Sequence, residues 1–455
     1  MIFTLGNLGS KLISFFLIPL YTNALTTTEY GVVDLIATVG TVAAPVLTLN
    51  ICESVMRFAL DKDANKDKIT QIGTNLLLVG MVVGLVTFPI CHSFNRISQY
   101  SIFVYFYVIS LAASQLYLCD LRGKELLVYY SIGNVLHTFF IAALNILFLV
   151  VFKGGIEGYL NAYIIANILT ATYALIVGKG YRSFSFSGVD KKLLQRMISY
   201  SIVLIPNSFM WWIMNSSDRV MVSSMVGIAA NGIYAVSYKL PTLVSTLTTI
   251  FNQAWSYSAI REEGTEDENE YNNKIFRTLI GIVMLIGIGL ITFMKPFLSI
   301  YVAKEYYVAW KYTPFLTVGC VYLTLATFMA TSYTVHKDSF GYLFSGMFGA
   351  IFNIVMNFAL IPLIGVYGAA IATCISYMLV FVFRLFHTRK YIRYNIKNKE
   401  FIVGSAILIL SACLMFVDNL FGLTLQCALM LIAIYSFSDV WSPMLKKLLK
   451  LKGKQ

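Results

Sequence analysis

Apolar runs of about twenty residues recur along the whole chain, and this constrains the fold more than any other feature. A bilayer core about 30 Å thick is crossed by a helix of about 20 apolar residues. Such runs lie near 2–25, 30–58, 70–90, 101–120, 127–151, 159–177, 197–226, 230–258, 272–293, 312–333, 340–361, 366–386, 400–417 and 420–440. In hydrocarbon every backbone N–H and C=O must be satisfied within the chain, which leaves helices or a closed barrel, and these runs are too long and continuous for barrel strands. The expected fold is an all-α polytopic membrane protein with fourteen transmembrane helices. Only 12% of the 455 residues are charged, against roughly 25% in soluble chains, which excludes an ordinary soluble enzyme. The first run continues through Lys11 and Pro19 to about Leu25 without a small-residue cleavage site, so it reads as a retained span and not a signal peptide.

A formal charge of +12 invites a nucleic-acid reading through phosphate contacts, but the placement of the charges argues against it. Of the 34 Lys and Arg residues, 25 fall on one side of the alternating spans, counting Lys274, Arg277 and Arg384 at span ends on that side, five on the other (Arg96, Lys153, Lys295, Lys304, Lys311) and four elsewhere within spans (Lys11, Arg57, Arg219, Lys239). Cytoplasmic loops carry the excess of Lys and Arg. Both termini are therefore expected in the cytoplasm, the basic excess is a topology signal, and no nucleic-acid partner is expected. The seven cysteines (52, 91, 119, 320, 374, 413, 427) lie mostly in apolar stretches without a CxxC. Neither a disulfide framework nor a zinc site is expected.

A shift of 201 residues places Tyr30-Gly31 on Asn231-Gly232 and the charged loop Asp61–Lys68 on Glu262–Asn269. With a small drift Asn145 meets Asn357, and Gly158 meets Gly368. Because the halves keep the same in/out sense, this is a parallel repeat about an axis along the membrane normal, a plan that usually places a cleft between two lobes. The expected organisation is an N-lobe over 1–178, a cytoplasmic connector over 179–196 and a C-lobe over 197–388. Two extra helices over 389–445 and a basic tail over 446–455 complete it.

Ionisable side chains inside spans are costly and normally paired or turned toward a cavity. Lys11, Asp34, Glu53, Arg57, Asp218, Arg219 and Lys239 concentrate in the first, second, seventh and eighth spans. At 1.5 Å rise per residue, Arg219 lies about 10 Å in from the outer turns, Lys239 about 13 Å, Lys11 about 21 Å and Arg57 about 40 Å. Four cations staggered through the membrane suit an anionic cargo. Simpler roles exist for some of them. Glu53 and Arg57 are spaced to pair on one helix, and Lys11 is placed to snorkel to the inner interface. Adjacent Asp218 and Arg219 diverge by about 100° and need other partners. Asp34 has Lys239, Lys11 or a coupling cation open to it. Pro19, Pro45, Pro206 and Pro241 interrupt the same four spans, where each removes a helical hydrogen bond and permits bending.

No Walker sequence is present, so no ATPase is built in, and the four histidines have no HExxH or paired ligand spacing. No catalytic residue, metal site or cofactor is expected. The outer loops are short apart from 294–311, whose only acid is Glu305, which disfavours a membrane glycosyltransferase or ligase.

The opening GNLGSKLISFFLIPLYTNALTTTEYGVVDLI, the second-helix ending ESVMRFAL and the run SSDRVMVSSMVGIAANGIYAVSYKLP resemble the bacterial polysaccharide flippases of the Wzx type. That group belongs to the superfamily of lipid II flippases and MATE drug exporters. The resemblance covers essentially the whole chain and implies a six-plus-six-helix transporter that alternates between inward-open and outward-open states. It implies carriage of an undecaprenyl-diphosphate-linked oligosaccharide across the bacterial cytoplasmic membrane, with a polysaccharide polymerase and glycosyltransferases as partners. Arg57 in ESVMRF matches the second-helix arginine of the group. Asp218-Arg219 and Lys239 fall in its seventh- and eighth-helix motifs, and Lys11 follows GNLGS. Together Arg57, Arg219, Lys11 and Lys239 are the expected diphosphate contacts, since fixed cations compensate the hydration a diphosphate loses. Asp34, Glu53 and Asp218 are the candidates for coupling to an H⁺ or Na⁺ gradient or for ion pairing. The short basic tail that usually precedes the first helix is missing, so either Met1 is a late start or the helix leans on Lys11 for orientation. The alternative is a cation-coupled drug or metabolite exporter of the same superfamily, for which an acidic cavity is expected.

Overall fold

The structure is a computed structural model that describes residues 2–61, 63–92, 98–417 and 419–442. Within these, the side chains of 2–12, 88–92, 207, 247, 250, 253, 254 and 257 are not described, and neither is the expected basic tail over 446–455. Among the described residues the fold is all helical. The helices are α1 (Ile2–Ala24), α2 (Thr27–Leu47), α3 (Ile51–Ala59), α4 (Lys66–His92), α5 (Ser101–Gly123), α6 (Leu127–Asn145) and α7 (Gly155–Val177). They continue with α8 (Lys191–Met225), α9 (Ile228–Ser237), α10 (Pro241–Arg261), α11 (Glu268–Thr292), α12 (Met294–Tyr301) and α13 (Thr313–Val335). The last four are α14 (Ser339–Ile364), α15 (Val366–His387), α16 (Lys399–Leu414) and α17 (Leu420–Ser436).

Each of the fourteen apolar runs falls on a helix. Among the described residues ten helical segments are long and apolar enough to cross a membrane, and large apolar side chains such as Val86, Phe340 and Leu363 are largely exposed on them, as lipid-facing residues are. Two expected spans are broken. The second divides into α2 and α3, because Leu49 and Asn50 both adopt left-handed backbone (φ 52° and 54°) just after Pro45 has loosened the last turn of α2. The eighth divides into α9 and α10 at Tyr238–Leu240, where Pro241 opens a new helix. Local chemistry sets the other ends: Thr26 and Glu29 form a capping box at α2, and Asp338, Asn398 and Asn419 cap α14, α16 and α17.

The chain forms two compact units, residues 1–223 with 227–232, and residues 224–226 with 233–455. In the first unit α5 packs against α2, α3, α4 and α7, and α6 packs against α1 and α7. In the second, α13 is the central helix, packed by α10, α11, α14 and α15, while α16 and α17 lean on α11. Helix α8, expected to open the second half, runs almost wholly within the first unit. A disulfide joins Cys52 on α3 to Cys119 on α5, with Cα atoms 5.8 Å apart. No disulfide framework was expected, and this one pair is a finding of the fold: helix packing brings together two residues 67 apart in sequence, which spacing along the chain does not reveal.

Candidate functional site

The embedded charges meet at the start of α2. Its capping box fixes the first turn: the Thr26 N–H donates to Glu29 Oε2 at 2.8 Å, and the Glu29 N–H donates to Thr26 Oγ1 at 3.3 Å. Seven residues beyond Thr27, about 10 Å along the axis at 1.5 Å per residue, Asp34 is buried (7% exposed). Arg219 of α8 donates to Asp34 Oδ1 at 2.9 Å. Asn231 of α9 donates to Asp34 Oδ2 at 3.3 Å and to the Gly31 carbonyl at 3.1 Å. One carboxylate thus ties three helices together in the first unit. An ion pair taken out of water is favourable only with good geometry and further hydrogen bonds, and Asn231 supplies one.

Glycines bring α2 and α9 this close. A Cβ on Gly31 would collide with the carbonyl oxygen of Ile228, and a Cβ on Gly232 would collide with that of Thr27. One turn farther into the membrane, Trp212 Nε1 of α8 donates to the Thr38 carbonyl at 2.8 Å. Tyr107 of α5 fills the space over Gly40. Nearby Tyr159 stacks on Tyr163 and meets Tyr21 edge-on, with the Tyr21 and Tyr163 hydroxyls 3.5 Å apart. The site is a membrane-embedded guanidinium, 18% exposed, held by the Asp34 carboxylate beside a band of phenols. A guanidinium fork is the group best matched to carboxylate or phosphate, and a carboxylate partner is the kind of ligand that a phosphate displaces.

The sequence candidates separate into three groups. Asp34 and Arg219 are brought together, so that among the described side chains the ion-pair partner of Asp34 is Arg219. Asp218 is buried beside them, its Oδ1 accepting the Arg219 N–H at 2.9 Å. Arg57 and Glu53 stand exposed on α3. Arg57 pairs with Asp61 at 2.6 Å and not with Glu53, because the pairing runs one turn toward the end of the helix. Lys239 belongs to the second unit and lies half-buried in the break between α9 and α10. The Lys11 side chain lies outside the described residues. Asn231 and Trp212 were not among the expected site residues. Asn231 carried a signal, since the 201-residue shift places it on Tyr30 beside the paired glycines, but it read as a turn marker.

One basic residue counted among the 25 of the expected cytoplasmic side belongs in the protein interior. Arg384 lies in α15 and is 1% exposed. It donates from Nε to Ser345 Oγ at 3.0 Å and from a terminal nitrogen to the Ala326 carbonyl at 2.9 Å, so it joins α13, α14 and α15. Position near the end of a span does not distinguish such an arginine from a topology signal.

Comparison with known proteins agrees with this architecture. A solved structure of the lipid II flippase MurJ in an inward closed conformation superposes with a TM-score of 0.67 at 15% identity, covering 97% of this chain and 99% of that one. An inward-facing multidrug resistance transporter of the MATE family superposes with a TM-score of 0.63 at 15% identity, covering 85% and 94%. At this identity the two share the fold. An uncharacterized membrane protein of Methanocaldococcus jannaschii, MJ1068, is 22% identical over 333 residues, 66% of this chain, and the match spans 61% of its own length. Residues 1–257, more than half of the chain and inclusive of α2, Arg219 and Asn231, match the family described as polysaccharide biosynthesis protein, and the chain belongs to that family.

Proposed function

We propose that the chain is a flippase that carries an undecaprenyl-diphosphate-linked oligosaccharide from the cytoplasmic to the outer face of the cytoplasmic membrane by alternating access, for surface polysaccharide assembly. The observation that carries this reading is the Arg219–Asp34 pair, a guanidinium within the membrane at 2.9 Å from a carboxylate of another helix. A diphosphate cannot cross hydrocarbon with its charges unpaired. Arg219 offers it a bidentate partner, and exchanging Asp34 for phosphate keeps the guanidinium paired at every stage. The sugars occupy a hydrated path and the polyprenyl tail stays in lipid. Lys11, Arg57 and Lys239 are further contacts along the route, and Asp34, Glu53 and Asp218 are the candidate sites for a coupling H⁺ or Na⁺. Since the chain has no Walker sequence, the cycle draws on an ion gradient, the membrane potential or consumption of product. The inner-membrane location, the cytoplasmic termini and the partnership with a polymerase and glycosyltransferases belong to the same reading.

The test is polysaccharide export in cells that depend on this chain. Arg219→Gln and Arg57→Gln are expected to stop export while the protein stays folded in the membrane; normal export by both variants contradicts the reading. The shared fold with the multidrug transporter favours drug or metabolite export as the second reading. That reading predicts protection of cells from cationic dyes, which a carrier of anions does not give.

A further inference from the structure

A cavity of about 510 Å³ opens in the first unit where the end of α3 and the starts of α4 and α8 converge. This falls in the range of small-molecule pockets, roughly 300–1,000 Å³. Three cations line it: Lys68 of α4, and Lys192 and Arg196 of α8. The carboxylates on its wall are mostly committed. Asp61 is held by Arg57 at 2.6 Å, and Asp190 caps α8 by accepting the Leu193 N–H at 3.1 Å. Asp63 is the remaining acid on the lining. Arg196 is already oriented, with its guanidinium 5.5 Å over the ring of Phe58 and Phe58 itself edge-on to Tyr200 at 5.9 Å. A cation–π contact of this kind fixes where the guanidinium sits without using up its five N–H donors.

A convex basic surface is enough to orient a membrane protein; a concavity whose three cations face one carboxylate already paired with Arg57 (Asp61), one that caps a helix (Asp190) and one other (Asp63) keeps a surplus of positive charge suited to holding an anion. We infer that this cavity is a binding site for a phosphate-bearing group, with the Arg196 fork and the Lys192 and Lys68 ammoniums as its contacts and the Phe58 ring as its apolar wall. The group comes either from the headgroup of a prenyl diphosphate in the membrane or from a free diphosphate in solution. Binding here does not depend on the transport reading, and it is scored without transport.

The test is titration of the full chain in nanodiscs with inorganic pyrophosphate in one arm and farnesyl diphosphate in the other, by calorimetry. Saturable binding is expected, weakening as salt rises, with K192Q/R196Q lowering affinity about tenfold. Binding in both arms identifies the diphosphate itself as the ligand; binding of farnesyl diphosphate alone identifies a lipid headgroup. K192Q alone leaves Arg196 on Phe58 and gives a smaller loss, which separates binding from folding. K179Q removes a cation outside the cavity and leaves affinity unchanged. Absence of saturable binding in both arms, wild-type affinity in K192Q/R196Q, or an equal loss in K179Q overturns the inference.

Discussion

Gly31 and Gly232, 201 residues apart, make the same contact with each other's helix. Gly31 lies against the carbonyl of Ile228 and Gly232 against that of Thr27, and the same 201-residue shift that relates the glycines relates Thr27 to Ile228. Small residues let membrane helices approach backbone to backbone, and here two equivalent turns use the device reciprocally.

Each obstructing atom is a backbone oxygen, so an added methyl cannot be relieved by a rotamer change. Gly31→Ala and Gly232→Ala are each expected to cost about 1–3 kcal/mol, measured as a lower melting temperature in detergent. The double variant costs less than the sum, because the first substitution already parts the helices. Unchanged melting in both single variants contradicts the contact.

Asp34 and Arg219 are expected to behave as a unit. Asp34→Asn or Arg219→Gln removes one partner of a largely buried ion pair, a loss of about 3–5 kcal/mol. Asp34→Asn with Arg219→Gln leaves two neutral amides and recovers much of that stability while transport stays lost. A double variant whose destabilisation equals the sum of the singles shows that the pair is not coupled.

In the turn before α14, Asp338 accepts hydrogen bonds from Lys390 Nζ at 2.8 Å, the Gly341 N–H at 2.8 Å and the Tyr391 hydroxyl at 3.0 Å. Led by the Lys390 bond, these hold its carboxyl down at about 2, below the usual carboxylate value of about 3.9. The folded state therefore prefers the ionised form. The stability it confers is complete above the unfolded value and is lost as pH falls from about 4 to about 2. Melting of the wild type is expected to fall more steeply than that of Asp338→Asn across this window; parallel curves contradict it.

Arg384 is expected to be structural. Arg384→Ala strips the hydrogen bonds to Ser345 and Ala326 and leaves a void between α13, α14 and α15, costing about 3–5 kcal/mol. Arg384→Met fills the volume and recovers part of the loss. Equal melting of Arg384→Ala and wild type rules the role out.

The helices were legible because a span announces itself locally, in about 20 consecutive apolar residues. Arg219 and Asp34 were each recognisable as charges out of place, yet their pairing was not, since it joins residues 185 apart in sequence. The break at Leu49–Asn50 escaped notice for another reason: neither residue is glycine, and Pro45 marks only that the helix weakens there. Arg384 was misassigned because a buried arginine and a loop arginine look alike at the end of an apolar run. Cys52 and Cys119 meet only through the packing of α3 on α5.

The central claim is that Arg219 carries an anionic headgroup through the membrane. Its most direct test is the purified chain in liposomes with a labelled undecaprenyl-diphosphate-linked oligosaccharide, following the label's accessibility from each side with and without an ion gradient. Wild type is expected to equilibrate or drive the label across, and folded Arg219→Gln to leave it on the side where it was loaded. Equal translocation by the two proteins, or none by the wild type under any gradient, contradicts the account.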